Sequence, residues 1–356
     1  MRLIKFSLIV IGIVFLVSCS NDVQRKKDIY TLAEGEELPK PTVVLATDLQ
    51  VPWSIQKSGD TFYISEREGY IAVIGQEGLT REAVKLEKNI STEAEAGLLG
   101  FVLRPDFEET GQAYAYYTYD ENNRTFNRVV VLQREQKEWT ETKILLDGIE
   151  SGPVHHGGRI KIGNDGLLYI TIGDASVPEK AQNIESLNGK ILRMNLDGSI
   201  PDDNPFPNSY VYSYGHRNPQ GLTWDSDGQL YSSEHGPSAH DELNDITASY
   251  NYGWPTIVGD QLGEGMENPL IHSNNETWAP SGMAYYNGSI YFATLRGEAV
   301  KRYYLDSGKL EDVITNVGRV RDVFIENDQL YFVSNNLDGR GTPTKGDDQL
   351  YQINLE

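Results

Sequence analysis

A short phrase recurs along the chain, and it constrains the fold more than any other feature. A turn built from glycine, aspartate or asparagine is followed by an apolar residue and a tyrosine at the head of an alternating run. The copies are Gly59-Asp60-Thr61-Phe62-Tyr63, Gly111-Gln112-Ala113-Tyr114, Asp165-Gly166-Leu167-Leu168-Tyr169 and Asp227-Gly228-Gln229-Leu230-Tyr231, then Asn287-Gly288-Ser289-Ile290-Tyr291 and Asn327-Asp328-Gln329-Leu330-Tyr331. The tyrosines lie 51, 55, 62, 60 and 40 residues apart. Asp-Gly and Asn-Gly supply the positive φ angles of a tight hairpin, and alternation marks a half-buried strand. No long segment after residue 40 shows helical periodicity. Six copies at this spacing predict an all-β fold, a six-bladed β-propeller of four-stranded antiparallel blades. A seventh phrase, Asp348-Gln349-Leu350-Tyr351, stands near the end of the chain. A strand there would close the ring against the first blade and remove an open edge.

Composition excludes several classes of function. Lys and Arg number 31 against 52 Asp and Glu, a net charge of -21, so a phosphate backbone would be repelled and nucleic acid is not a partner. A single cysteine excludes intrachain disulfides, thiolate zinc sites and iron–sulfur clusters. That cysteine follows Arg2, Lys5 and a nearly all-aliphatic run from Leu8 to Val17, which is short for a membrane span. The run ends in Leu16-Val17-Ser18-Cys19, which resembles a bacterial lipoprotein signal, in which the cysteine becomes the lipid-bearing amino terminus. The expected organisation is a signal peptide over 1–18, a lipidated tether over 19–41 and one propeller domain over 42–356. The expected location is the cell envelope, with the protein held to the periplasmic or outer face of a bacterial membrane through its lipid alone.

Familiar catalytic motifs are missing: there is no Gly-x-Gly-x-x-Gly after a strand, no Walker loop, no His-Glu-x-x-His and no Gly-x-Ser-x-Gly elbow. Polar residues cluster elsewhere. Val154-His155-His156-Gly157-Gly158-Arg159 sets imidazoles that titrate near neutral pH beside glycines that let a ligand approach, or else forms a tight turn with surface histidines. Arg217-Asn218 offers a planar cation and an amide suited to carboxylate or quinone oxygens, or else ties blades together. Glu234-His235-Gly236-Pro237, Asp241-Glu242 and Asn251-Tyr252-Gly253-Trp254-Pro255 carry the carboxylates and loop carbonyls that calcium prefers. Alternation places Arg319 and Arg321 on one side of a strand, facing a polyanion or forming structural salt bridges.

These motifs, in this order, resemble the pyrroloquinoline-quinone (PQQ) dependent sugar dehydrogenases, the glucose/sorbosone dehydrogenase family. The resemblance runs from Val51-Pro52-Trp53-Ser54 to the end of the chain. It includes Ala96-Gly97-Leu98-Leu99-Gly100-Phe101, Gly189-Lys190-Ile191-Leu192-Arg193, Asp203-Asn204-Pro205-Phe206 and His216-Arg217-Asn218-Pro219-Gln220-Gly221. It implies a six-bladed propeller with PQQ and Ca2+ as cofactors. It further implies an oxidoreductase that converts an aldose sugar or related alcohol to the lactone by hydride transfer to PQQ and passes electrons to an unidentified acceptor.

Residue roles follow from the same resemblance. His155, four residues before Arg159, is the implied general base, while His156 falls on a variable position and receives no role. Arg217 is implied to stabilise the developing negative oxygen and, with Asn218, to line the cofactor. Arg319 and Arg321 hold the PQQ carboxylates, and Arg296, Thr277 and Glu95 stand at further cofactor-side positions. The carbonyls of Gly236 and Pro237 bind the catalytic calcium, and Glu242 and Tyr252 a second, structural one. Ser238-Ala239-His240 departs from the family pattern, and Glu95 stands where some relatives have glutamine. The alternative reading is a lipid-anchored propeller that binds a glycan or a protein and performs no chemistry.

Overall fold

The structure, a computed structural model, describes residues 42–355. The proposed signal peptide, the tether and Cys19 lie outside the described residues. Each tyrosine phrase forms the turn between the first and second strands of an antiparallel meander and places its tyrosine in the second. The meanders span residues 52–85, 98–151, 160–214, 219–272, 280–314 and 320–354. Beyond strands there is only a one-turn α-helix, Phe107–Thr110, and a 3-10 turn, Pro178–Gln182, among the described residues.

The repeated tyrosines explain why the meanders assemble. All six are buried, and each packs its ring into the apolar interface with the following meander. Tyr63 meets Phe101, Phe107 and Trp139. Tyr114 joins Ile160 and Leu168, and Tyr169 joins Leu222 and Leu230. Tyr231 packs with Trp278 and Phe292, and Tyr291 with Val320 and Phe332. Tyr331 completes the circuit against Ile55 and Ile64 of the first meander. An aromatic at the start of each second strand thus fills the wedge between adjacent sheets, where its large area contributes most.

Two details differ from the expectation of separate four-stranded blades closed by the last strand. Four sheets have four strands, but the first two meanders share one eight-stranded sheet. The strands Arg124–Glu135 and Glu138–Ser151 are 12 and 14 residues long. At its hairpin end Glu138–Ser151 pairs in parallel with Gly78–Lys85 through Val84–Trp139 and Lys85–Thr140, which covers two strand edges at once. The seventh phrase opens Leu350–Asn354, which is the third strand of the last sheet rather than a strand on the first. Val43–Ala46, from the amino-terminal side, adds as the fourth. Closure therefore joins the two ends of the domain within one sheet.

The inner strands meet at a buried polar hub. Arg159 is fully buried; its Nη1 lies 3.2 Å from Asp322 Oδ2, its Nε donates to the Gln220 carbonyl at 2.8 Å, and its guanidinium stacks 4.2 Å from the Trp53 ring centre. Asp322 Oδ2 also accepts the Ile55 N–H at 2.8 Å. Ser54 Oγ donates to the Phe101 carbonyl at 3.1 Å, and Gly282 lies so close that a Cβ there would stand 1.5 Å from Asp322 Oδ1. Every meander contributes to this cluster. Asp322→Ala would leave Arg159 charged and unpaired inside the protein, and a loss of about 3–5 kcal/mol of stability is expected from urea denaturation. An unchanged denaturation midpoint would contradict this role.

Candidate active site

The histidine loop leaves strand Glu138–Ser151 and enters the next meander at Arg159. Gly157 has φ 67°, and a Cβ there would lie 2.5 Å from the Thr171 carbonyl, so only glycine lets the loop lie flat on that strand. His155 also adopts a left-handed backbone, φ 65°, with its N–H donated to Glu95 Oε2 at 3.2 Å. Its Nδ1 lies 2.8 Å from Asp174 Oδ1. A carboxylate only accepts, so Nδ1 carries the proton and the lone pair of Nε2 is left as a base. Asp174 is itself fixed by the Ser176 N–H at 2.8 Å and the Trp254 indole N–H at 2.9 Å. Sequence reasoning missed Asp174, whose one local signal is an acid two residues after the apolar strand Leu168–Ile172.

Beside this pair lies a central cavity whose wall includes Trp53, Gln220 and three cations, Arg67, Arg321 and Arg340. Arg321 donates to Asn335 Oδ1 at 3.1 and 3.2 Å and to Gln220 Oε1 at 2.9 Å. Burial and the nearby Arg319 and Arg67 charges outweigh Asp338 and push its guanidinium down to about 9. Such a cation is stabilised by an anion. Arg319, just before the strand Val320–Glu326, instead donates through Nε and Nη2 to the single oxygen Asp338 Oδ2 at 2.9 and 2.7 Å and is not part of the cavity wall. Glu95 lines the cavity and pairs with Arg340 at 2.7 Å. Burial alone would raise its carboxyl, but His235, Arg340 and the His155 N–H prevail and hold it at about 2. Arg67, Asp338 and Arg340 were not singled out by sequence.

Arg217 stacks 5.3 Å from the Trp254 ring and donates to the His235 carbonyl at 3.2 Å, while its buried Nε has no partner. Asn218 Oδ1 accepts the Gly157 N–H at 3.0 Å, and its buried Nδ2 is also unpartnered. Two further sequence candidates lie away from the cavity wall: Arg296 is exposed, and Thr277 Oγ1 donates to the Ser238 carbonyl at 2.7 Å.

Gly236 and Pro237 belong to a tight turn pinned by the Gly236 N–H to Asp241 Oδ1 at 2.8 Å, and neither carbonyl accepts a hydrogen bond. Glu242 faces Glu234 across adjacent strands. Burial and the Glu234 charge push the Glu242 carboxyl up to about 8, so a cation beside it would be favoured. The Tyr252 hydroxyl is used by the Asp245 carbonyl and the Thr247 N–H, which leaves its main-chain oxygen for any ion. Among the described residues no three His, Cys, Asp or Glu side chains gather as a metal site, so any calcium here would take backbone carbonyls beside a carboxylate such as Glu242.

The chain matches the family described as Glucose / Sorbosone dehydrogenase over residues 49–343. It is 33% identical over 294 residues to quinoprotein glucose dehydrogenase B of Acinetobacter calcoaceticus, covering 72% of this chain and 61% of that protein. It thus spans less than two thirds of that relative's length. It is 29% identical over 265 residues to the aldose sugar dehydrogenase YliI of Escherichia coli, covering 64% of this chain and 71% of the other. The PQQ-bound aldose sugar dehydrogenase of Streptomyces coelicolor superposes with a TM-score of 0.82 at 35% identity, covering 90% of this chain and all of that one. The chain is a member of the glucose/sorbosone dehydrogenase family.

Proposed function

We propose that this chain is a PQQ- and calcium-dependent dehydrogenase that oxidises an aldose sugar or related alcohol, to the lactone where the substrate is an aldose. Its scaffold is read as a six-bladed propeller, with the eight-stranded sheet counted as two blades. The observation that carries the reading is the His155–Asp174 pair beside a cavity walled by Arg67, Arg321 and Arg340. The unpartnered donors Arg217 Nε and Asn218 Nδ2 nearby fit an oxygen-rich anionic cofactor. The names of the Acinetobacter and Streptomyces relatives, a quinoprotein and a PQQ-bound enzyme, support the same cofactor.

In this reading His155 Nε2 takes the proton of the substrate hydroxyl, and Asp174 stabilises the imidazolium that results. Arg321 and Arg340 would hold cofactor carboxylates. Arg217 presents a positive donor to oxygen that gains negative charge. The Gly236 and Pro237 carbonyls would hold one calcium ion, and Glu242 with the Tyr252 carbonyl a second. When bound, PQQ supplies the hydride acceptor and calcium the Lewis acid that polarises its quinone oxygen. Turnover would further require an external electron acceptor.

Steady-state kinetics at saturating PQQ and calcium test the base. His155→Ala is expected to lower kcat by roughly 10²–10⁴-fold while PQQ affinity changes little. Asp174→Asn is expected to lower kcat in the same direction, because the amide can no longer stabilise the imidazolium. Full activity in His155→Ala would place the base elsewhere and overturn this mechanism. The cell-envelope location rests on Cys19 as the lipidated residue. Cys19→Ala is expected to leave the precursor unprocessed or to release the protein from membranes on fractionation. Unchanged processing and unchanged membrane partitioning would contradict lipidation.

A further inference from the structure

The mechanism uses His155 and leaves its neighbour idle, yet His156 is the histidine of that loop that lines the central cavity. Its side chain is only 2% exposed. The segment around it is pinned on both sides: its carbonyl accepts the Tyr116 hydroxyl at 2.8 Å, and the adjacent Gly157 N–H donates to Asn218 Oδ1. The ring is held as well, with Nδ1 2.7 Å from Ser151 Oγ. The other ring nitrogen, Nε2, is buried and has no partner. A buried polar atom on a rigid side chain in a cavity wall calls for a ligand atom to complete it.

The chemistry of the cavity selects that atom. Burial pushes the imidazole pKa down to about 4, so the ring is neutral at neutral pH and one nitrogen carries the proton. When Ser151 donates to Nδ1, the proton resides on Nε2, which becomes a neutral donor. In the same wall Arg67, Arg321 and Arg340 outnumber the carboxylates Glu95 and Asp338, which leaves a place for an anion rich in acceptor oxygens. A protonated Nε2 completes such a ligand, whereas a bare lone pair would oppose it.

We propose that His156 is a cofactor-contacting residue whose Nε2–H donates a hydrogen bond to an acceptor oxygen of PQQ in the central cavity, with the Ser151 hydroxyl donating to Nδ1 in that state. This rests on the PQQ reading above, and it gives a role to a position to which the family pattern assigns none.

The test is a calorimetric titration of PQQ, with calcium present, into the full domain and its variants, which reads binding without turnover. His156→Leu is expected to weaken PQQ by about 10–100-fold, the worth of a hydrogen bond to a charged acceptor. His156→Gln, which keeps a donor, is expected to recover most of the affinity, and Ser151→Ala to fall between. In the loaded enzymes the sugar KM is expected to change less than the PQQ affinity. Wild-type PQQ affinity in a folded His156→Leu overturns the proposal while leaving the PQQ reading intact. So does a loss confined to sugar KM, which would assign the ring to substrate. Absence of PQQ binding by the wild-type protein overturns both. If His156→Leu does not fold, nitrogen NMR of the wild-type histidines replaces it. The His156 Nε2 resonance is expected to be of the protonated type and to shift when PQQ is added, and an Nε2 resonance unmoved by PQQ contradicts the proposal.

Discussion

The ion pair between Arg159 and Asp322 is the constraint on which the rest of the molecule depends. It lies where the inner strands converge, and its partners come from the first, third, fourth and last meanders. Such a pair contributes little net stability compared with apolar packing, because desolvation offsets the attraction. Its effect is geometric: each partner is costly to leave alone, so the strands that supply them are held in one register. Arg159 is also the last residue of the histidine loop, four residues after His155. The group that fixes the centre of the sheet assembly thereby fixes where the loop begins its turn toward Asp174.

The tyrosine phrase made the meanders legible because its turn and its ring do two jobs at fixed spacing. The turn closes the first hairpin, and the ring fills the wedge to the next sheet, so the pattern reports both local and tertiary structure. What was not legible depends on chain ends and on pairings between distant segments. Leu350–Asn354 carries the same phrase as the second strands, but it pairs between Gln329–Ser334 and Val43–Ala46. Nothing in its own residues distinguishes a third strand from a closing one. The shared eight-stranded sheet arises from two residue pairs, Val84–Trp139 and Lys85–Thr140, between segments distant in sequence that carry no motif of their own.

At the candidate site, motif resemblance picked out His155, Arg217, Asn218 and Arg321; Arg321 stands in the cavity wall, and the other three each hydrogen-bond a residue of that wall. It could not pick out Asp174, a single acid after an ordinary strand, whose importance lies in contacts to residues 155 and 254 that are distant in sequence. Asp338 and Arg340 were hidden for a similar reason. They sit on a loop of unremarkable composition, and only the fold sets one on Arg319 and the other on Glu95. Arg319 shows the converse limit. Alternation placed it beside Arg321, but burial next to Asp338 decides what its guanidinium faces.

The central claim is that the chain performs PQQ- and calcium-dependent oxidation of a sugar or related alcohol. Reconstitution of the purified protein with PQQ and calcium, followed by dye reduction over a panel of aldoses and polyols, tests it most directly. The account predicts dye reduction that requires both additions and at least one member of the panel. Protein that binds PQQ and calcium yet reduces no dye with any of them would contradict it, and would favour a scaffold that binds without turning over.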